Sequence, residues 1–401
     1  MKKFMIMVAT ALMAVSASAQ NEEALKEILA ATDYQSALQL TEANKSSMSA
    51  EETAKAYNKV VDLALDKYNK ESAVALKNQV SQANEAYDEQ GMVAAACASL
   101  NYAIVCDEYD QQPNEKGKIK PKYKSSNVSR LNTVRNSLLG TGEAQFNNKN
   151  FAGAAQSFGA YVETSAFFND GNTANDPAYG QIAYYASLAY YNSNDFANAE
   201  KFAIIAQADT TVAEDALNVQ ITCMSAQLNT KEDSLVYINK LKELYNNDPD
   251  NNRFLALLWN YYSSTNDKAA QRELLDNQLS RNPNNTIALA LQGEYCMGDN
   301  DWDGAIAAFK KALEIDPSYI AVRSNLGLCL YQKTIAIKEA NDGNLTDEAK
   351  STVNDAITNL NICREQDPNQ ESVKWAYTLY SAYYLIGDEA GMESVKAYVN
   401  N

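Results

Sequence analysis

Residues 286–317 read TIALALQGEYCMGDNDWDGAIAAFKKALEIDP, and this stretch decides the fold. Apolar residues recur every three or four positions on either side of Gly298-Asp299-Asn300. That is the pattern of two amphipathic helices joined by a turn. Gly293 and Ala305 are small where the two helices must approach closely. Phe309 and Ala312 are placed to pack the second helix onto the element that follows. Pro317 closes the unit, because its ring pre-sets φ and pushes the residue before it out of helical conformation.

The closing proline recurs. Of seven prolines, five follow Asp or Asn: Pro177, Pro249, Pro283, Pro317 and Pro368. The steps Pro249 to Pro283 and Pro283 to Pro317 are both 34 residues. Gly293, Ala305, Phe309, Ala312 and Pro317 stand at the spacing of the tetratricopeptide repeat, and the chain resembles that family here. Gly142, Ala154 and Phe158 fit a second unit ending before Pro177. Ala183, Ala186, Tyr190, Ala199 and Ala206 fit a third. Gly327 with Leu326, Ala356 and Leu360 fits a fourth, closed by Pro368 and 17 residues longer than the template, with the extra length expected in the hairpin around Asn341 to Thr346. In the unit from Asn252 to Asn285, Trp259 stands where a small residue is usual. The resemblance covers residues 129–401 and implies an all-α, right-handed superhelical solenoid of helix-turn-helix repeats.

Upstream, residues 20–112 are helical by pattern, with a stripe of Ala54, Tyr57, Val60, Val61, Ala64 and Tyr68. They are either more repeats or a helical cap. Residues 113–128 break the pattern. Pro113, Gly117 and Pro121 forbid a helix, while Lys116, Lys118, Lys120, Lys122 and Lys124 alternate. This segment is a solvated linker or a basic contact loop for an acidic partner or anionic glycan. Residues 1–19 carry Lys2 and Lys3, a short apolar run and Ala17-Ser18-Ala19, the pattern of a signal peptide cleaved after Ala19. No cysteine follows, so lipid attachment is not expected, and a periplasmic or secreted protein is.

Composition excludes other classes. The chain has 51 acidic and 34 basic residues, a net charge of −17, and no histidine. Such acidity argues against nucleic acid, whose binding needs clustered Lys and Arg. The lack of histidine removes the commonest general base and metal ligand. With no GxSxG or P-loop either, no catalytic residue, metal or cofactor is expected, and the protein is read as non-enzymatic. The six cysteines sit among apolar residues at helical spacing, so buried thiols are expected, with a Cys296–Cys329 disulfide as the alternative.

Binding is the remaining function class. The family's A-helix positions, carried onto this chain, give Tyr184, Tyr191 and Asn192; Arg253 and Asn260; Glu294; Tyr331 and Gln332; and Trp375 and Tyr383. Rings offer contact area at low entropy cost and amides fix orientation, which suits a protein or peptide partner in a concave groove. Glycan capture on aromatic platforms is the alternative. Asp209-Thr210-Thr211 and Asp233-Ser234-Leu235 resemble the O-glycosylation acceptor of Bacteroides-type envelope proteins, marking Thr210 and Ser234.

Overall fold

The computed structural model describes residues 22–114 and 116–399, so the expected signal segment lies outside the described residues. Every regular element among them is helical. None is long and apolar enough to cross a membrane. Contacts divide the chain into two compact units, one running to Ser234 and the other from Leu235 to Asn401.

In the first unit, α1 covers 22–30, followed by α2 (Tyr34–Asn44), α3 (Ala50–Ser81), α4 (Glu89–Asp110), α5 (Lys124–Asn147) and α6 (Phe151–Glu163). The short α7 (Ser165–Phe168), α8 (Tyr179–Asn192), α9 (Phe196–Ala206) and α10 (Ala213–Ala226) complete it, and the unit boundary falls within α11 (Lys231–Asn247). The second unit holds α12 (Asn252–Ser264), α13 (Lys268–Arg281), α14 (Thr286–Gly298), α15 (Trp302–Ile315), α16 (Ile320–Ala340), α17 (Asp347–Gln366), α18 (Ala376–Ile386) and α19 (Glu389–Val395). Within each unit successive helices pair as hairpins, α5 with α6, α8 with α9, α14 with α15 and α16 with α17, and each hairpin packs on the next.

Five of the hairpins share one turn. Lys149, Asn194, Asn266, Asn300 and Gly387 each take a left-handed backbone. The residue after each, Asn150, Asp195, Asp267, Asp301 and Asp388, caps the second helix by accepting an N–H three residues on. Asn and Gly tolerate the left-handed region, and Asp and Asn are among the best N-caps, so all of these dipeptides but Lys149-Asn150 specify the reversal at both positions.

Close approach is set by the small residues. A Cβ on Gly293 would lie 2.3 Å from the Phe309 ring, and one on Gly142 would lie 2.6 Å from the Phe158 ring. At Gly327 the opposing side chain is Leu360. Ala154, Ala199, Ala305 and Ala312 are fully buried, as the repeat spacing requires. The expected extension of the fourth unit is present but differently built. It lengthens the helices themselves, with α16 and α17 spanning 21 and 20 residues against 13 and 14 in α14 and α15. Between them lie only residues 341–346, since neither flank carries a helix breaker before Gly343. In the segment 113–128 the chain is irregular up to Tyr123, and α5 starts at Lys124 once Pro121 has been passed.

A buried ion pair fixes the α5, α6 and α8 neighbourhood. Arg135 and Asp176, both almost wholly buried, form a salt bridge at 2.5 Å. Asp176 also accepts from Ser165 (2.8 Å) and the Tyr161 hydroxyl (3.0 Å). Arg135 donates to the Tyr161 carbonyl (2.9 Å), and its guanidinium lies 3.6 Å from the Tyr161 ring centroid. Buried charges need such saturation of their hydrogen-bonding capacity.

Candidate functional site

A surface cleft with a mostly apolar lining lies between α5 and α8 in the first unit. From α5 it takes Leu139, Glu143, Phe146 and Asn147, and from α8 Gln181, Ile182, Tyr185 and Leu188, with Phe158 of α6 beneath. These residues recur at i, i+4, i+7 on each helix, so one face of each helix lines the cleft. Its volume is about 540 Å³. The sequence makes the floor directly. Gly142 leaves room for the Phe158 ring to slide under α5, and that ring sits 6.0 Å from the Tyr185 ring. Tyr185 remains 39% exposed, so its ring is available. Glu143, Asn147 and Gln181 are exposed at the edges. An apolar floor with an amide and carboxylate rim suits an apolar anchor side chain whose flanking backbone meets the polar edge.

The expected groove residues divide. Tyr191, Asn192, Arg253, Asn260 and Glu294 are exposed, while Tyr184, Tyr331, Gln332 and Tyr383 are half-buried. Tyr184 packs onto the core of its repeat. Tyr191 stands at the hairpin end against Phe196, ring centroids 5.7 Å apart. Glu294 keeps an open edge, yet the protein crowded around it desolvates its carboxyl and raises its pKa. Tyr383 is tied to Asn361, whose amide donates to its hydroxyl at 2.9 Å. Trp375 is a correction. It is fully buried and donates its indole N–H to the Asp367 carbonyl at 2.7 Å, so it is packing and not groove. Tyr185 is the lining residue that the family register passes over. Tyr377 and Tyr384, 70% and 71% exposed and one heptad apart on α18, are also outside it.

The reactive side chains are muted. All six thiols are free. Burial pushes Cys97, Cys106 and Cys329 up to about 12 and Cys223 and Cys363 up to about 11. Thr210 is exposed, and the Ser234 hydroxyl donates to the Thr230 carbonyl at 3.1 Å.

Comparison with known proteins recognises one repeat of the array. A family model described as TPR repeat matches residues 297–333, from the end of α14 through α15 into α16. Residues 297–333 therefore carry a TPR repeat. Among solved structures it is similar to a human IFIT1 dimer with m7Gppp-AAAA, at 15% identity and a TM-score of 0.38, covering 84% of this chain and 72% of that one. It is also similar to the P58(IPK) TPR domain, at 12% identity and a TM-score of 0.26, covering 88% and 98%. A third is the assembly chaperone of RpL4, Acl4, at 13% identity and a TM-score of 0.25, covering 76% and 95%. No curated protein sequence matches the chain.

Proposed function

We propose that this chain is an exported, non-catalytic scaffold of a bacterial envelope that binds a protein or peptide partner on its A-helix faces. The observation that carries the reading is the α5–α8 cleft, with its apolar floor, polar rim and exposed Tyr185. Export is motivated by the sequence pattern of residues 1–19. Absence of catalysis is motivated by a chain without histidine whose thiols are held protonated by burial. A photo-crosslinking residue at position 185, compared with one at the exposed Lys201 of α9, tests the site. A discrete adduct from envelope extract at 185, absent at 201 and reduced in Leu188→Ala, is expected. Adducts of equal yield at both positions would discard the cleft.

The glycan alternative rests on Tyr377 and Tyr384, which present two open rings on one face of α18. Calorimetry against neutral polysaccharides separates the readings. Binding abolished by Tyr377→Ala with Tyr384→Ala favours the glycan, and no heat from any polysaccharide removes it.

A further inference from the structure

We propose that the loop around Lys116–Lys120 and the start of α3 form a second binding cleft, for an extended acidic peptide segment bearing carboxylates at alternate residues. The cleft measures about 620 Å³, with Ser49, Ala50 and Glu51 on one side and Lys116, Lys118 and Lys120 on the other. Ile119, between the last two, is 57% exposed and lies outside the lining. Lys118 and Lys120 therefore face the cleft with Ile119 turned away, as in an extended chain, and Pro121 keeps Lys120 from turning helical.

The loop is held in this shape by its own side chains. Asn114 accepts the backbone N–H groups of Lys116 (3.0 Å) and Lys118 (3.1 Å), and donates its own N–H to the Lys118 carbonyl (3.0 Å). Gly117 supplies the left-handed residue of that turn. At the far end Asp110 accepts the backbone N–H groups of Lys122 and Tyr123. A binding loop ordered beforehand loses less entropy on association.

The charge inventory points to the ligand. Lys122 is paired with Glu51, and Lys124 turns toward Asp170 and the Phe167 ring. Among the described residues, Lys116, Lys118 and Lys120 have no ion-pair partner, in a chain that carries −17 overall. Lys118 and Lys120, two residues apart in extended chain, stand about 7 Å apart, with Lys116 beyond the Gly117 turn. An extended peptide with Asp or Glu at every second residue repeats at the same distance, whereas a lone phosphate meets one lysine. The first turn of α3 is already capped by Ser49 and Glu52, so the lysines and not the helix end are the recognition element.

Fluorescence anisotropy at low ionic strength tests this with a labelled peptide of alternating Glu and Ala and an isomer carrying the same glutamates in one block. The alternating peptide is expected to bind more tightly. Lys118→Glu with Lys120→Glu should weaken it by about tenfold, since each exposed pair contributes little and two are reversed. Lys310→Glu with Lys311→Glu, the same charge change on α15, should leave binding nearly unchanged. Glu51→Gln releases Lys122 and should tighten it. Unchanged thermal melts show that the variants fold. Equal weakening by both charge-reversal pairs, no preference between the isomers, or binding of a galacturonate oligomer or inorganic phosphate without the peptide overturns the proposal.

Discussion

Two junctions between repeats carry the same dipeptide and do different work. At Asp176-Pro177 the carboxylate is buried and holds Arg135, Tyr161 and Ser165 together. At Asp316-Pro317 the carboxylate serves only a local turn, accepting the Ser318 backbone N–H (2.9 Å) and hydroxyl (2.6 Å). The second junction instead relies on apolar close approach, with Gly293 beneath Phe309 in the hairpin before it. One repeat boundary is fastened by a polar network and the other by shape, although the sequence marks both in the same way. Because a repeat array is stabilised mainly through nearest neighbours, each should fail locally and by its own mechanism.

Asp176→Ala should do the most damage. It strands the Arg135 guanidinium in the interior, and removing one partner of a buried pair typically costs about 3–5 kcal/mol. Hydrogen-exchange mass spectrometry should show α5 and α6 losing protection while α14 and α15 are unaffected. Arg135→Met combined with Asp176→Ala should cost less than Asp176→Ala alone, because no unpaired charge is left behind. A double variant as damaged as the single would break the polar side of the comparison.

The same network sets an acid limit. Burial alone would raise the Asp176 carboxyl, but hydrogen bonds from Arg135 and Ser165, the Arg135 charge and Tyr161 together hold it below its ordinary value. Its contribution is therefore complete above the unfolded value of about 3.9 and is lost as pH falls through the lower folded value. Denaturation midpoints followed from pH 6 downward should fall more steeply in the wild type than in Asp176→Asn. Parallel curves would remove Asp176 from the account.

At Gly293 the shape side of the comparison is exposed. Gly293→Ala places a methyl group against the Phe309 ring, and overpacking of this kind costs about 1–3 kcal/mol. Gly298→Ala has open space at its Cβ. It should be neutral or gain up to about 1 kcal/mol from the lower entropy of the unfolded chain. Exchange protection in α14 and α15 distinguishes the two, and equal behaviour would mean that the hairpin has slack.

How much of this was legible follows from distance along the chain. The Gly293 and Phe309 pair lies within one repeat, so spacing alone exposes it. Arg135 and Asp176 are 41 residues apart, and no local pattern reports that a buried arginine will meet the aspartate of a repeat boundary. The groove register failed for a related reason. Tyr184 and Tyr185 are neighbours, but one helical step turns a side chain by about 100°. That separates a ring packed on the core from one lining the cleft. Trp375 was misplaced because helix α16 starts three residues after Pro317, whereas α18 starts eight after Pro368. Gln370, in a left-handed conformation, donates to the Tyr398 carbonyl and accepts the Ala376 N–H across that interval. A proline predicts where a helix can begin, and tertiary contacts decide where it does.

Asp316→Ala should have the smallest effect. Its carboxylate makes only short-range contacts with Ser318, and such a turn-forming hydrogen bond contributes about 0.5–1.5 kcal/mol. Pro317 continues to restrict the backbone without it, and the α15–α16 packing around Phe309, Val322 and Leu326 is unchanged. Exchange protection in α15 should drop slightly at its last turn and nowhere else. A loss comparable to that of Asp176→Ala would mean that the aspartate before the proline fastens every repeat boundary, and the distinction between a polar and a shape-held junction would collapse.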